Sequence, residues 1–261
     1  MQIATWNING VKARLANLSR WLKEASPDVC CLQEIKCEDE AFPGEALEEL
    51  GYNVAVHGQK GFNGVAVLSK RPLEDVTRRL PGGDGSDQHS RYLEVVVPGD
   101  RGVVRIACLY LPNGNPIGTD KFQYKLDWMD RLTARAGELL RDEEAFVMTG
   151  DFNVIPAPID AKRPELWVND ALFQPETRAR FRTLLNLGLT DAVRLLHPDD
   201  PIYTFWDYQA GAWQRNNGIR IDHQVMSPQA VDRLASIRVD RHVRGWDKPL
   251  DHVPVIAELD V

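Results

Sequence analysis

Five short apolar runs in this sequence end on, or begin beside, residues able to do metal and proton chemistry. Trp6-Asn7 closes the first run, Gln33-Glu34 the second, and Gly150-Asp151-Phe152-Asn153 closes Phe146-Val147-Met148. Asp222 lies within Arg220-Ile221-Asp222-His223, and Asp251-His252 precedes the last run. Each residue alone has an ordinary explanation. Asp and Asn at strand ends commonly turn or cap the chain, and a single His is commonly a hydrogen-bonded structural residue. Glu34 is harder to dismiss, because a carboxylate directly after Val29-Cys30-Cys31-Leu32 is partly buried and demands a cation. Gathered at one rim, these groups would form a hard-oxygen pocket suited to Mg²⁺ or Mn²⁺, with an imidazole beside it.

The elements that must position them follow from periodicity. Gln2–Ile8 reads as a strand. Val11, Leu15, Leu18, Leu22 and Ala25 form the stripe of an amphipathic helix that Pro27 stops. Further strands are expected at Val29–Leu32, Tyr52–Val56, Gly64–Leu68, Tyr92–Val97, Val103–Leu109 and Ala145–Thr149. The tail alternates strands at Arg220–Met226, Ser236–Asp240 and Val253–Leu259. Helices are expected over Asp120–Arg141, where Phe122, Leu126, Met129, Leu132, Ala136 and Leu140 share a face, and over Glu176–Asn186. Strands partly paired as hairpins and partly separated by helices indicate a mixed, layered α/β fold.

The 261 residues carry 31 Lys and Arg against 38 Asp and Glu, a net charge of −7. Hydrophobic and charged fractions are those of an ordinary globular chain, with neither a low-complexity segment nor a long linker. One domain over 1–261 is expected. Four Cys are too sparse for a disulfide scaffold, and adjacent Cys30 and Cys31 read as buried, reduced thiols. Neither a signal peptide nor a membrane span is visible, so a cytoplasmic protein with no membrane partner is expected. An acidic balance disfavours nucleic acid. Net charge averages over the whole surface, however, and a carboxylate metal site adds to it.

The ordered set Trp6-Asn7-Ile8-Asn9-Gly10, Gln33-Glu34-Ile35-Lys36, Tyr110-Leu111-Pro112-Asn113, Gly150-Asp151-Phe152-Asn153, Arg220-Ile221-Asp222 and Asp251-His252-Val253-Pro254 resembles the exonuclease III family. These are DNA-repair apurinic/apyrimidinic endonucleases within the endonuclease/exonuclease/phosphatase superfamily. The resemblance covers nearly the whole chain. Gly-Asp-x-Asn and Asp-His occur across the superfamily. The Gln33–Lys36 and Tyr110–Asn113 segments, and Tyr203–Tyr208 ahead of Asn217–Asp222, are narrower and point to the DNA-repair branch. The fold implied is a four-layer α/β sandwich, two packed mixed β-sheets flanked by helices.

The resemblance also implies roles. Glu34 would be the main carboxylate for Mg²⁺ (or Mn²⁺), with Asn7, Asp251, Asp151 and Asn153 in or around the shell. Asp151 would orient or deprotonate the attacking water, and Asn153 would hold that water or a phosphate oxygen. Asp222 would pair with His252, and Tyr110 would contact the phosphate or assist the leaving group. Asn9 and Asn113 would touch DNA, while Phe205, Trp206, Ile219 and Ile221 would wall a pocket for a flipped abasic sugar. Apart from the resemblance, Lys12, Arg14, Lys36 and Lys60 lie near strand-end loops, where they would grip phosphates. The implied activity is 5′ incision at abasic sites in double-stranded DNA, with 3′→5′ exonuclease or 3′-phosphodiesterase action on blocked 3′ ends, by a monomer. The alternatives are a metal-dependent phosphoesterase on another substrate and an inactive DNA-binding protein. Two departures stand out: Leu250 where the family usually has Ser, and Gly114-Asn115-Pro116 with no Arg to wedge into a duplex. His223 beside Asp222 reads as a packing or surface-contact residue ahead of a spare ligand, and Lys121 and Lys125 as the solvated face of the long helix ahead of DNA contacts.

Overall fold

In the computed structural model, which describes residues 1–261, the helical stripe after the first strand produces a β–α–β unit. The strand β1 (Gln2–Asn7) leads into α1 (Val11–Ala25), which ends on Ser26 in a left-handed conformation, and β2 (Val29–Gln33) returns parallel to β1. The short α2 (Gly44–Glu48) precedes the hairpin β3 (Asn53–His57) and β4 (Val65–Ser69). Next come β5 (Glu74–Arg78), β6 (Tyr92–Pro98) and β7 (Val103–Tyr110). A second β–α–β unit then joins β7 to the parallel β8 (Phe146–Asp151) through α3 (Asp120–Arg141). The remaining elements are α4 (Pro175–Leu185), β9 (Thr190–Asp191), α5 (Ala192–Leu196), β10 (Asp222–Met226), α6 (Pro228–Val231), β11 (Leu234–Val239) and β12 (Val255–Leu259).

The strands form two six-stranded sheets, β11-β12-β1-β2-β4-β3 and β5-β6-β7-β8-β10-β9. Each has one central parallel pair, β1/β2 or β7/β8, with antiparallel neighbours on both sides. Alternation sorts the side chains into layers. Ile3, Val29, Cys31, Val67, Val95, Ile106 and Val147 face the space between the sheets. Ala4, Trp6, Cys30 and Leu32 face Leu18, Trp21 and Leu22 of α1. On the opposite outer face Leu109, Phe146 and Met148 pack against Trp128, Met129 and Leu132 of α3 and Phe181 of α4. This is the expected four-layer sandwich.

All four cysteines are free and buried, and no helix is long and apolar enough to cross a membrane. The sequence pattern misses β5 because it is an edge strand whose residues are mostly exposed, so no buried face marks it. Lys125 is a correction. It is not on the solvated face of α3 but fully buried, whereas Lys121 is exposed as expected. The three-to-four residue period gives a helix its apolar stripe but not where the rim of that stripe meets a loop.

Candidate active site

Register brings the polar strand ends together. In the first sheet Asn7 pairs with Gln33, one residue before Glu34. In the second, Tyr110, Asp151 and Asp222 stand side by side on β7, β8 and β10. The site thus sits where both parallel pairs end, the rim at which layered α/β sheets place ligands. Glu34, Lys36, Asn9 and Asn153 all adopt left-handed backbone conformations, with φ of 53°, 55°, 44° and 48°. Such strain persists where surrounding contacts over-determine the chain, and it clusters at functional sites.

The Asn7 amide links the sheets, donating to Glu34 Oε1 at 2.9 Å and to Asp151 Oδ2 at 2.9 Å. Lys36 lies 3.0 Å from Glu34 and donates to Asn9 Oδ1 at 2.6 Å. Burial opposes ionisation of Glu34, but the Asn7 amide and the Lys36 ammonium outweigh it and hold the carboxyl below its usual range. Asn9 Nδ2 reaches Asp251 Oδ1 at 3.4 Å, and the Tyr208 hydroxyl reaches the same oxygen at 3.5 Å. Tyr110 is half-buried, with the Arg91 guanidinium over its ring. Burial, followed by the charges of Glu34 and Asp151, pushes its phenol well up, so it stays protonated.

His252 Nδ1 lies 2.9 Å from Asp222 Oδ2, and Thr204 Oγ1 donates to that same oxygen at 2.6 Å. Its Nε2 faces Asp151 Oδ2 at 3.8 Å. Burial alone would lower His252, but Asp222, then Asp151 and Asp251, lift it to about 10. Asp151 is raised, first by burial and then by Asp222, against the opposing pull of His252. A histidinium locked in one orientation therefore faces a carboxylate that is poised to take a proton. The segment Thr204–Trp206 assembles the pair. Phe205 bridges to both Ile219 and His252, and the Val253 amide donates to the Thr204 carbonyl. Thr204 lies inside the Tyr203–Tyr208 motif, but nothing in the sequence assigned it a role, since a hydroxyl outside any regular element gives no sign of what it faces.

Beside the Asp151 loop, Asn113 is exposed and donates to Asn153 Oδ1 at 3.2 Å. Asn153 donates in turn to the Leu111 carbonyl, and its amide to Asp151 Oδ1, both at 2.9 Å. Phe205 and Ile219 line a cleft of about 380 Å³ together with Trp167, Asp170 and Asn217. Trp206 and Ile221 are not on its wall. Trp206 is buried against Tyr203 and Trp213 in the α1-side core, and Ile221 packs behind the cleft with Leu172 and Ile155. Trp167, which the motifs missed, lines the cleft because a short turn after Pro164 carries it there. His223 is structural as expected: buried between Arg220 and the Val154 carbonyl, it is pushed down to about 4 by burial. Leu250, in place of the usual Ser, is buried in the apolar layer under α1.

The Endonuclease/Exonuclease/phosphatase family model matches residues 4–252. The chain belongs to this family. It is 32% identical to exodeoxyribonuclease III of Haemophilus influenzae over 99% of this chain and 100% of that protein. It is also 32% identical to DNA repair nuclease APEX1 of Danio rerio over 100% of this chain and 83% of that protein. Among solved structures, an AP endonuclease from Archaeoglobus fulgidus superimposes with TM-score 0.94 at 35% identity, covering both chains completely. The 3′ phosphatase NExo from Neisseria, bound to product DNA hairpin, gives 0.95 at 37% with the same coverage. The family is metal-dependent, and here Asp151, Asp222 and His252 bring possible ligand atoms within 4.8 Å of one another. His252 and Asp222 already satisfy each other, whereas the wider oxygen-rich set has charge to spare. Four carboxylates, Glu34, Asp151, Asp222 and Asp251, share only Lys36 and His252 as cations in the hydrogen-bonded cluster. That excess fits a divalent cation.

Proposed function

We propose that this protein is a DNA-repair nuclease that hydrolyses the phosphodiester 5′ to abasic sites in double-stranded DNA and removes blocking groups from 3′ ends. The observation that carries the reading is the meeting of two units across the sheets. The histidinium of the His252–Asp222 pair looks onto Asp151, and one Asn7 amide ties Asp151 to Glu34. Incision needs an aligned water, a neutralised phosphate and a stabilised leaving oxygen, and this set supplies groups for each. Relatives that incise or trim DNA support the substrate class.

In the reaction, Asp151 accepts the proton of a water that Asn153 helps to hold, and the new P–O bond forms as the P–O3′ bond breaks. His252, cationic at neutral pH, donates to a phosphate oxygen as negative charge builds there. Neutral Tyr110 donates a hydrogen bond to the phosphate or to the departing 3′ oxygen, which takes a proton from water to leave as the 3′-hydroxyl. Glu34, with Asn7 and Asp251 nearby and Asp151 and Asn153 at the edge, is the set that would hold Mg²⁺, with Mn²⁺ as a substitute. The ion supplies Lewis-acid neutralisation of the phosphate. Asn9, Lys36 and Asn113 grip the strand, while Phe205 and Ile219 receive the extruded sugar. An abasic sugar enters such a cleft more cheaply than a full nucleotide, since no base is unstacked.

The direct test is cleavage of a duplex carrying one abasic analogue, and of one ending in a 3′-phosphate, with Mg²⁺, with Mn²⁺ and with chelator. Metal-dependent products ending in 3′-hydroxyls are expected. Activity that survives chelation, or none on either duplex, would overturn the reading.

A further inference from the structure

One fully buried cation, Lys125 in the second turn of α3, has neither a part in the reaction nor a carboxylate partner. It donates instead to two main-chain oxygens, Pro112 O at 3.0 Å and Asn153 O at 2.6 Å. Burying an ammonium carries a heavy desolvation penalty, and a methionine of the same length would fill the space without it. Packing therefore does not account for the residue. Burial pulls its pKa down to about 7, against the opposing charges of Asp151 and Asp170.

The two acceptors belong to the loops that follow the parallel pair β7 and β8. Pro112 directly precedes Asn113, whose amide donates to Asn153 Oδ1, so the two loops meet again through side chains at 3.2 Å. Asn153 holds a left-handed conformation, with φ of 48°. Gly114 is moulded on the same lysine: its φ is 88°, and a Cβ there would lie 2.6 Å from Lys125 Cδ.

We propose that Lys125 is a positioning residue for phosphodiester hydrolysis: its ammonium clamps the Pro112 and Asn153 carbonyls and thereby sets the Asn113–Asn153 pair against the substrate. The proposal rests on the nuclease reading above. A side chain without N–H donors would leave two carbonyl dipoles converging unsatisfied, and the loops would part. Lys125 touches no substrate and acts only through the Pro112 and Asn153 carbonyls.

The test is a double-mutant cycle of Lys125→Met and Asn153→Ala, assayed on an abasic-analogue duplex with metal. Lys125→Met is expected to lower kcat by about 10–100-fold, the usual effect of losing a residue that orients a reacting group, with a smaller change in KM. In the Asn153→Ala background the same change should add little. Additive losses, or a kcat within twofold of the parent, would overturn the clamp. Hydrogen exchange on the same proteins reads the clamp without activity. Protection should fall about tenfold in residues 111–115 and 152–155 alone, whereas a uniform loss or no loss overturns the proposal. A parent protein that cuts neither duplex overturns the nuclease reading, and the exchange pattern still decides the clamp. Should Lys125→Met not fold, Gly114→Ala, which drives a methyl into the lysine stem, must show the same local loss of protection and the same kcat defect.

Discussion

Asp151 and His252 face each other at 3.8 Å with their proton affinities both raised, by burial in one case and by Asp222 in the other. Asp151→Asn keeps the shape and removes the basicity. A loss of about 10²–10⁴ in rate is expected, the usual size of general acid–base catalysis, with folding retained by circular dichroism. Near-normal turnover would take Asp151 out of the proton transfer. For His252 the sign follows from its partner. Its active form is the cation, so activity should fall as pH rises through about 10. Asp222→Asn removes the charge that lifts it, so the alkaline limb of the pH–rate profile should move to lower pH, towards the ordinary histidine range. The pair also links to stability: its contribution is fully present below about pH 6.5 and is lost as pH rises through the folded value. An unmoved alkaline limb in the variant would mean that another group titrates.

At the scale of elements, the loops and strand ends around the cleft are pinned by a buried ion network rather than by apolar packing alone. Arg220 is fully buried. It donates to Asp160 Oδ1 at 2.7 Å and to Asp191 Oδ2 at 2.8 Å, tying the start of β10 to the 158–160 turn and to the N-terminus of α5. Arg220→Met should cost about 3–5 kcal/mol in urea unfolding, because two buried carboxylates lose their shared cation. A loss below about 1 kcal/mol would show the network to be dispensable. The cleft itself depends on Phe205, which is half-buried with its ring 4.9 Å from that of His252. Phe205→Ala should weaken abasic-site incision by about 1–3 kcal/mol through lost packing on the sugar. Cutting of intact duplex should fall less. The ratio of the two rates, taken at fixed salt, is the measurement, and an unchanged ratio would make Phe205 ordinary core.

For the whole molecule, the net charge of −7 is partly a property of the site, where four carboxylates exceed their cationic partners. Binding a divalent cation should therefore stabilise the fold. At about 100-fold over Kd the gain is about 2.7 kcal/mol, which for a chain of this size raises Tm by roughly 5–10 °C. Thermal melts with Mg²⁺, Mn²⁺ and chelator read this directly. The shift should vanish in Glu34→Ala. A shift that persists there would move the ion away from Glu34.

Local pattern was enough to read the strands that build both sheets, apart from the exposed edge strand β5 and the two-residue β9, and to place α1, α3 and α4 within a residue or two. Apolar period and chain breakers act over a few residues, so they are written where the element forms. The polar strand ends were equally visible, since Asn7, Glu34, Asp151, Asp222 and His252 interrupt or flank apolar runs. What only the tertiary structure decided is what those residues face. Thr204 reaches Asp222 from a segment with no regular pattern, Trp206 turns into the α1-side core while Trp167 takes a place at the cleft, and Lys125 goes inward to two carbonyls. Each of these depends on the packing of one sheet against the other or of a loop against a helix. A side chain's partner across such a junction is set by distances between segments far apart in the chain, and no local period encodes those distances.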